Sequence, residues 1–174
     1  MLLMDGQQTG RLIFRLINYS DYDQWLEFFK DPVTSRHWIY EKSDPETECS
    51  NWYAYQFERY ASARGGMNAL VEKDTGKLVG HCGLLKQSVD DNNEVEIAYS
   101  LLPRYWNRGY ATEAAIKCRH HAFENMLASS LISIVSITNI PSQQVAIKVG
   151  MTIDKTTIYK GNKVNIFRVS NTTI

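Results

Sequence analysis

Apolar and polar residues alternate weakly from Arg11 to Leu16, which predicts a first strand. Ser20-Asp21-Tyr22-Asp23 resembles a capping box opening a helix that runs to about Lys30, where Asp31-Pro32 stops it. After a turn around Val33 to Trp38, Asp44 supplies an N-cap with Pro45 at the first helical position, and Gly65-Gly66 ends this longest element. The period then changes to two: Asn68 to Glu72, an Asp74 to Lys77 turn, and Leu78 to Leu85. Lys86 to Asn93 is polar and reads as a loop. From Glu94 to Leu101, Val95, Ile97 and Tyr99 alternate with Glu94, Glu96 and Ala98 as in a half-buried strand. Ala111, Ala114, Ala115, Cys118, Ala122 and Met126 recur at helical spacing, so one slim apolar face extends from Ala111 to about Asn125. A buried strand from Leu131 to Ser136, a helix from about Pro141 to Val149 closed by Gly150, and a hairpin of Ile153 to Tyr159 and Lys163 to Ser170 about Gly161-Asn162 complete the chain.

The 174 residues suit a single domain, and no repeat, linker or low-complexity tract divides residues 1–174. Nineteen Lys and Arg balance nineteen Asp and Glu, so no global field draws the chain to nucleic acid or anionic lipid. No apolar run reaches membrane-span length, and Met1 to Asp5 is too short and acidic for a signal peptide, which together suggest the cytoplasm. Cys49, Cys82 and Cys118 lack the paired spacing of a zinc or redox motif, and adjacent His120 and His121 point apart, so no metal site is expected. Aromatics crowd the stretch from Tyr19 to Tyr60; most are expected in the core and a few in a substrate pocket.

Chemistry concentrates where strand becomes helix, at Pro103 to Ala115. Gly109 admits ligand atoms close to the backbone, and the first N–H groups of the following helix have no internal partner. With the helix dipole and Arg104 and Arg108 nearby, these donors suit a pyrophosphate. Neither a Gly-Lys-Ser/Thr phosphate loop nor a three-glycine dinucleotide fingerprint is present. The plain alternative is a glycine that opens a helix beside two solvated arginines.

Trp106-Asn107-Arg108-Gly109-Tyr110-Ala111-Thr112-Glu113-Ala114 resembles the coenzyme A loop of the GNAT superfamily of N-acetyltransferases. Trp in the first place is typical of the branch resembling ribosomal-protein N-terminal acetyltransferases. Asn139-Ile140-Pro141-Ser142, leading to Lys148-Val149-Gly150-Met151, resembles the family's later motif. The resemblance implies an α/β GNAT fold, a mixed, twisted sheet of about seven strands with helices on both faces.

It further implies acetyl-coenzyme A as co-substrate and an amine as acceptor, either a protein N-terminus or a small amine such as a polyamine or aminosugar. The diphosphate would lie on Asn107, Arg108, Gly109, Tyr110, Ala111 and Thr112. The pantetheine arm would run between the strands Glu94 to Leu101 and Leu131 to Ser136, with main-chain N–H groups near Leu101 and Leu102 facing the thioester oxygen. Asn139 and Ser142 carry over as cofactor contacts, although Asn-x-Pro-Ser is also an ordinary helix start. Glu96 matches the position of a strand glutamate used as general base, while alternation with Val95 and Ile97 also describes a plain solvated face.

The chain departs from the family at Ala146, which holds the place of the usual acid tyrosine; Tyr99 and Tyr159 are the substitutes at hand. A non-catalytic acyl-coenzyme A binding or sensing module is therefore the alternative to an enzyme. Asp44, Glu46 and Glu48 could draw a polycation or serve a helix's first turn. Monomer and homodimer are both compatible with the chain.

Overall fold

Asp44 accepts the Thr47 N–H at 2.9 Å and Pro45 occupies the first helical position, and from this start helix α2 runs over Pro45–Ala61. Both features were readable in the chain. The preceding helix, α1, Tyr22–Lys30, begins differently from expectation. Asn18, not Ser20, makes the cap: its side chain accepts the Ser20 N–H at 2.9 Å and opens a 3-10 turn at Tyr19–Asp21. Asp21 takes no part in capping because both its oxygens receive the Arg15 guanidinium, at 2.7 and 2.6 Å.

The structure, a computed structural model, describes residues 1–171. Seven strands form one sheet: β1 Leu12–Arg15, β2 Gly65–Glu72, β3 Leu78–Val89, β4 Asn92–Leu101, β5 Ser130–Ser136, β6 Thr152–Tyr159 and β7 Asn162–Ser170. Their order is β1-β2-β3-β4-β5-β7-β6. All neighbours are antiparallel except β4 and β5, which run parallel. This is the mixed seven-stranded sheet that the resemblance implied.

Two segments correct the sequence reading. Residues 86–93 form no loop: β3 continues to Val89, and β4 starts at Asn92 after a tight turn in which Asp90 and Asp91 have φ of 47° and 60°. Aspartate tolerates the left-handed region, so a polar Asp-Asp pair can replace the glycine that usually marks such a hairpin. Gly65-Gly66 do not end α2, which stops at Ala61; they open β2. A Cβ on Gly65 would lie 2.0 Å from the Leu84 carbonyl oxygen, so the approach of β3 requires a glycine there.

Side-chain parity divides the layers. On β3, Cys82 meets Cys118 of helix α3, Tyr110–Glu124, at 3.6 Å between sulfurs. Its neighbour His81 points the other way, against Trp25 and Trp52 of α1 and α2 at ring distances of 4.2 and 4.6 Å. Helix α4, Ile140–Lys148, packs beside α3 and β5. Ala114, Ala115, Cys118 and Ala122 are fully buried, and their small side chains let α3 lie close to the sheet. On the opposite face Trp25 and Tyr53 are fully buried, and the apolar area they remove from water outweighs the cost of an indole N–H and a phenol hydroxyl left without partners among the described residues. Among the described residues no helix is long and apolar enough to cross a membrane.

The edge strand bends back across the sheet. Lys155 of β6 pairs with Asp90 at 2.7 Å, and Thr157 donates to the same carboxylate at 3.0 Å. The β3–β4 turn, expected to be part of a loop, is thus tied to the edge strand.

Candidate active site

Gly109 adopts φ 81° at the entrance to α3, and among the described residues no side chain caps the helix's first turn. Asp44 and Asn139, by contrast, cap α2 and α4. The N–H groups of the first turn of α3 therefore face outward without a side-chain acceptor, and the residues present fit an external anion. The turn is braced from beneath. Glu113 receives the Thr9 hydroxyl at 2.5 Å, the Arg11 N–H at 2.9 Å and Arg11 Nε at 2.7 Å. Arg11 also donates to the Arg108 carbonyl at 2.9 Å and lies 4.2 Å over the Tyr110 ring. Trp106 Nε1 donates to the Leu101 carbonyl at 2.8 Å, tying the loop to the end of β4.

Of the residues expected here, Asn107, Arg108 and Gly109 are exposed, and Ala111 and Thr112 are partly so. Tyr110 is different: its ring is buried, packs on Tyr105 and donates its hydroxyl to Glu72, which leaves only its main chain to face a ligand. A cavity of about 550 Å³ continues from Gly109 along Thr112 and Lys117 to Lys148.

Strands β4 and β5 pair where Glu96 faces Ile132, and the Ser133 hydroxyl donates to the Ile97 carbonyl at 2.8 Å. Toward Leu101 and Ser136 no further pair forms between them among the described residues. The opening lies between the loop at Gly109 and Glu96.

Glu96 itself is buried, 8% exposed, and points to the α1–α2 face with Leu85, its cross-strand neighbour. Burial raises its carboxyl above the usual carboxylate range. The Gln87 amide, which donates to it at 2.7 Å, a main-chain bond from Ile134, and the charges of Arg59 and Lys160 act in the opposite sense. Gln87 and Arg59 were missed in the sequence. Gln87 lay in the supposed loop, and the fully buried Arg59, which donates to the carbonyls of Arg64 and Lys86 at 2.9 and 2.8 Å, looked like an ordinary polar position of α2.

On the other face the Tyr99 hydroxyl donates to the Ser142 carbonyl at 2.9 Å and accepts from the Ser142 hydroxyl at 3.2 Å. Burial pushes this phenol up, against the Ser142 bond. Asn139 accepts the Ser142 N–H at 3.2 Å, so its carbonyl oxygen serves as the cap of α4. Leu102 requires correction: its N–H donates to the Val79 carbonyl at 3.0 Å, inside the sheet, and does not face the opening. Leu101 is buried at the end of β4. Ala146 is fully buried against the core, where a tyrosine would need the packing to change.

The family described as Acetyltransferase (GNAT) domain matches residues 11–152. The Bacillus subtilis (strain 168) protein YkkB is 28% identical over 162 residues, covering 92% of this chain and 84% of its own. An acetyltransferase from Agrobacterium tumefaciens superimposes with a TM-score of 0.80 at 22% identity, covering 98% of this chain and 97% of its own. Mycobacterium smegmatis RimJ, in complex with CoA-disulfide, has a TM-score of 0.74 at 15% identity over 98% and 90% of the two chains. With the loop at Gly109, the parting of β4 from β5 and a family match over most of its length, the chain belongs to the GNAT acetyltransferases.

Proposed function

We propose that the protein moves an acetyl group from acetyl-coenzyme A to a primary amine by direct attack within a ternary complex. The observation that carries this reading is the buried Glu96 carboxylate at the point where β4 and β5 meet. Acetyl-coenzyme A, bound with its diphosphate on the open turn at Gly109, supplies an activated thioester. An ammonium with a pKa near that of Lys, about 10.4, must lose a proton before it can attack. Glu96, its proton affinity raised by burial, takes that proton directly or through one water. The N–C bond forms as the C–S bond breaks, and the second proton lost by the nitrogen as it becomes an amide ends on the departing thiolate, which needs little assistance because thiols are far more acidic than alcohols. The Tyr99 phenol, held by Ser142, stands on the opposite face from Glu96. The unpaired, buried cysteines suit a reducing compartment such as the cytoplasm.

The test is thiol release from acetyl-coenzyme A across a panel of amines. Amine-dependent release that falls in Glu96→Gln supports the transferase. Tight coenzyme A binding without release on any amine would favour a non-catalytic acyl-coenzyme A sensor.

A further inference from the structure

The α1–α2 face around Glu96 carries a second apolar cluster, separate from the main core. Val89, Ile132, Val164 and Ile166 are buried there, and Trp38, Ile134 and Tyr159 pack on them while remaining partly exposed. Ile132 is the cross-strand partner of Glu96, so this apolar wall begins beside the carboxylate. Trp38 is held in place by its own segment. The Ile39 N–H donates to Asn162 at 2.7 Å, Asn162 donates back to the Ile39 carbonyl at 3.1 Å, and His37 bonds Thr138 at 2.9 Å.

The carboxylates on the strands of this face are paired, with one exception. Glu94 receives both guanidinium nitrogens of Arg168, at 3.0 and 2.7 Å, and Asp154 receives the same side chain at 3.1 Å. Asp90 is paired with Lys155. Asp44 caps α2, and Glu48 accepts from the Ser43 N–H at 3.0 Å and the Tyr40 hydroxyl at 3.2 Å. Among the described carboxylates of the strands on this face, Glu96 is the one without an ion-pair partner within salt-bridge distance. The nearby fixed charges that act on it, Arg59 and Lys160, are positive.

We infer that the acceptor is a monocationic amine borne on an apolar body, an aromatic or branched alkyl group, with Trp38 as the residue that selects it. This rests on the proposed transfer reaction and narrows it. The one strand carboxylate without an ion pair matches one ammonium, and further cationic centres beside it would meet the positive Arg59 and Lys160. A polyhydroxylated amine would press its hydroxyls against Trp38 and Ile134, which offer them no acceptor. An apolar group gains by covering the same surface. The chemistry is shared by free monoamines and by a protein N-terminus with an apolar first side chain.

The experiment compares phenethylamine, a tetrapeptide beginning with Phe, spermidine and glucosamine as acceptors for the full chain with acetyl-coenzyme A. The expected result is a kcat/KM at least about tenfold higher for phenethylamine or the peptide than for either polar amine, within the range that hydrophobic pockets discriminate. Whichever of the two apolar acceptors is better identifies the source. Trp38→Ala should abolish the ratio through KM with kcat little changed, and Trp38→Leu should retain it; coenzyme A affinity in the same samples reports folding. Equal or better use of spermidine or glucosamine, or a ratio unchanged in Trp38→Ala, overturns the inference. Calorimetric titration of phenethylamine into the coenzyme A complex separates the two proposals. If no amine is acetylated but phenethylamine binds in a Trp38-dependent manner, the transferase reading falls and the apolar seat stands; with no binding either, both fall.

Discussion

Gln87 on β3 donates from Nε2 to Oε2 of Glu96 on β4 at 2.7 Å, and the bond favours the charged form of a carboxyl that burial otherwise makes reluctant to ionise. Glu96→Gln should lower kcat/KM at pH 7 by about 10²–10⁴, with recovery toward high pH as the free amine accumulates. Gln87→Leu keeps the base but removes a bond to its ionised form. Its pKa therefore rises further, and the acid limb of the kcat/KM profile should move to higher pH. An unmoved profile in both variants would take Glu96 out of the reaction.

Gly109 offers a second test, because its φ of 81° and its position before an uncapped helix make separate demands. A side chain forced into the left-handed region costs about 1–2 kcal/mol, and a carboxylate there opposes an anion at the helix start. Gly109→Glu should weaken coenzyme A binding at least tenfold by calorimetry, whereas Gly109→Asn, which tolerates that backbone, should bind nearly as well as the parent.

The brace beneath that turn is measurable by denaturation. Glu113→Ala strands the Thr9 hydroxyl and the Arg11 N–H, both now bonded to the carboxylate at 2.5 and 2.9 Å. The expected loss is about 0.5–1.5 kcal/mol in urea unfolding, since water can reach the released groups, with coenzyme A affinity falling as the loop loosens.

His81 should leave a mark on stability against pH. Burial, with a smaller contribution from Arg15, pushes its pKa down to about 3, and neither ring nitrogen has a hydrogen-bond partner among the described residues. The unfolded chain takes up a proton near pH 6.5 that the folded chain refuses until far lower pH. Stability is therefore retained above that value and lost below it, at up to about 1.4 kcal/mol per pH unit from this residue. Unfolding curves between pH 7 and 4.5 should show this component in the parent and lose it in His81→Leu.

Much of the fold was legible because its signals are local. Asp44-Pro45, the alanine stripe of α3 and the strand–Gly109–helix junction each announce themselves within a few residues. What escaped depends on partners distant in sequence. Asp21 looked like part of a capping box until Arg15 claimed it, and Leu102 looked free until Val79 claimed its N–H. Asp90-Asp91 hid a hairpin because no glycine marks it. For the same reason the surroundings of Glu96 were unreadable: Gln87 comes from β3, Arg59 from α2 and Trp38 from the segment after α1, and nothing local in the chain links them to Glu96.

The short seam at Glu96 and Ile132 joins a block of four strands to a block of three. Past that seam side chains rather than paired main chains join the blocks: Ser133 to Ile97, Tyr99 to Ser142 and Arg168 to Glu94. An extended arm inserted there would act as a borrowed rung, so cargo and scaffold share one set of main-chain bonds, and loading the enzyme should stiffen both halves at once.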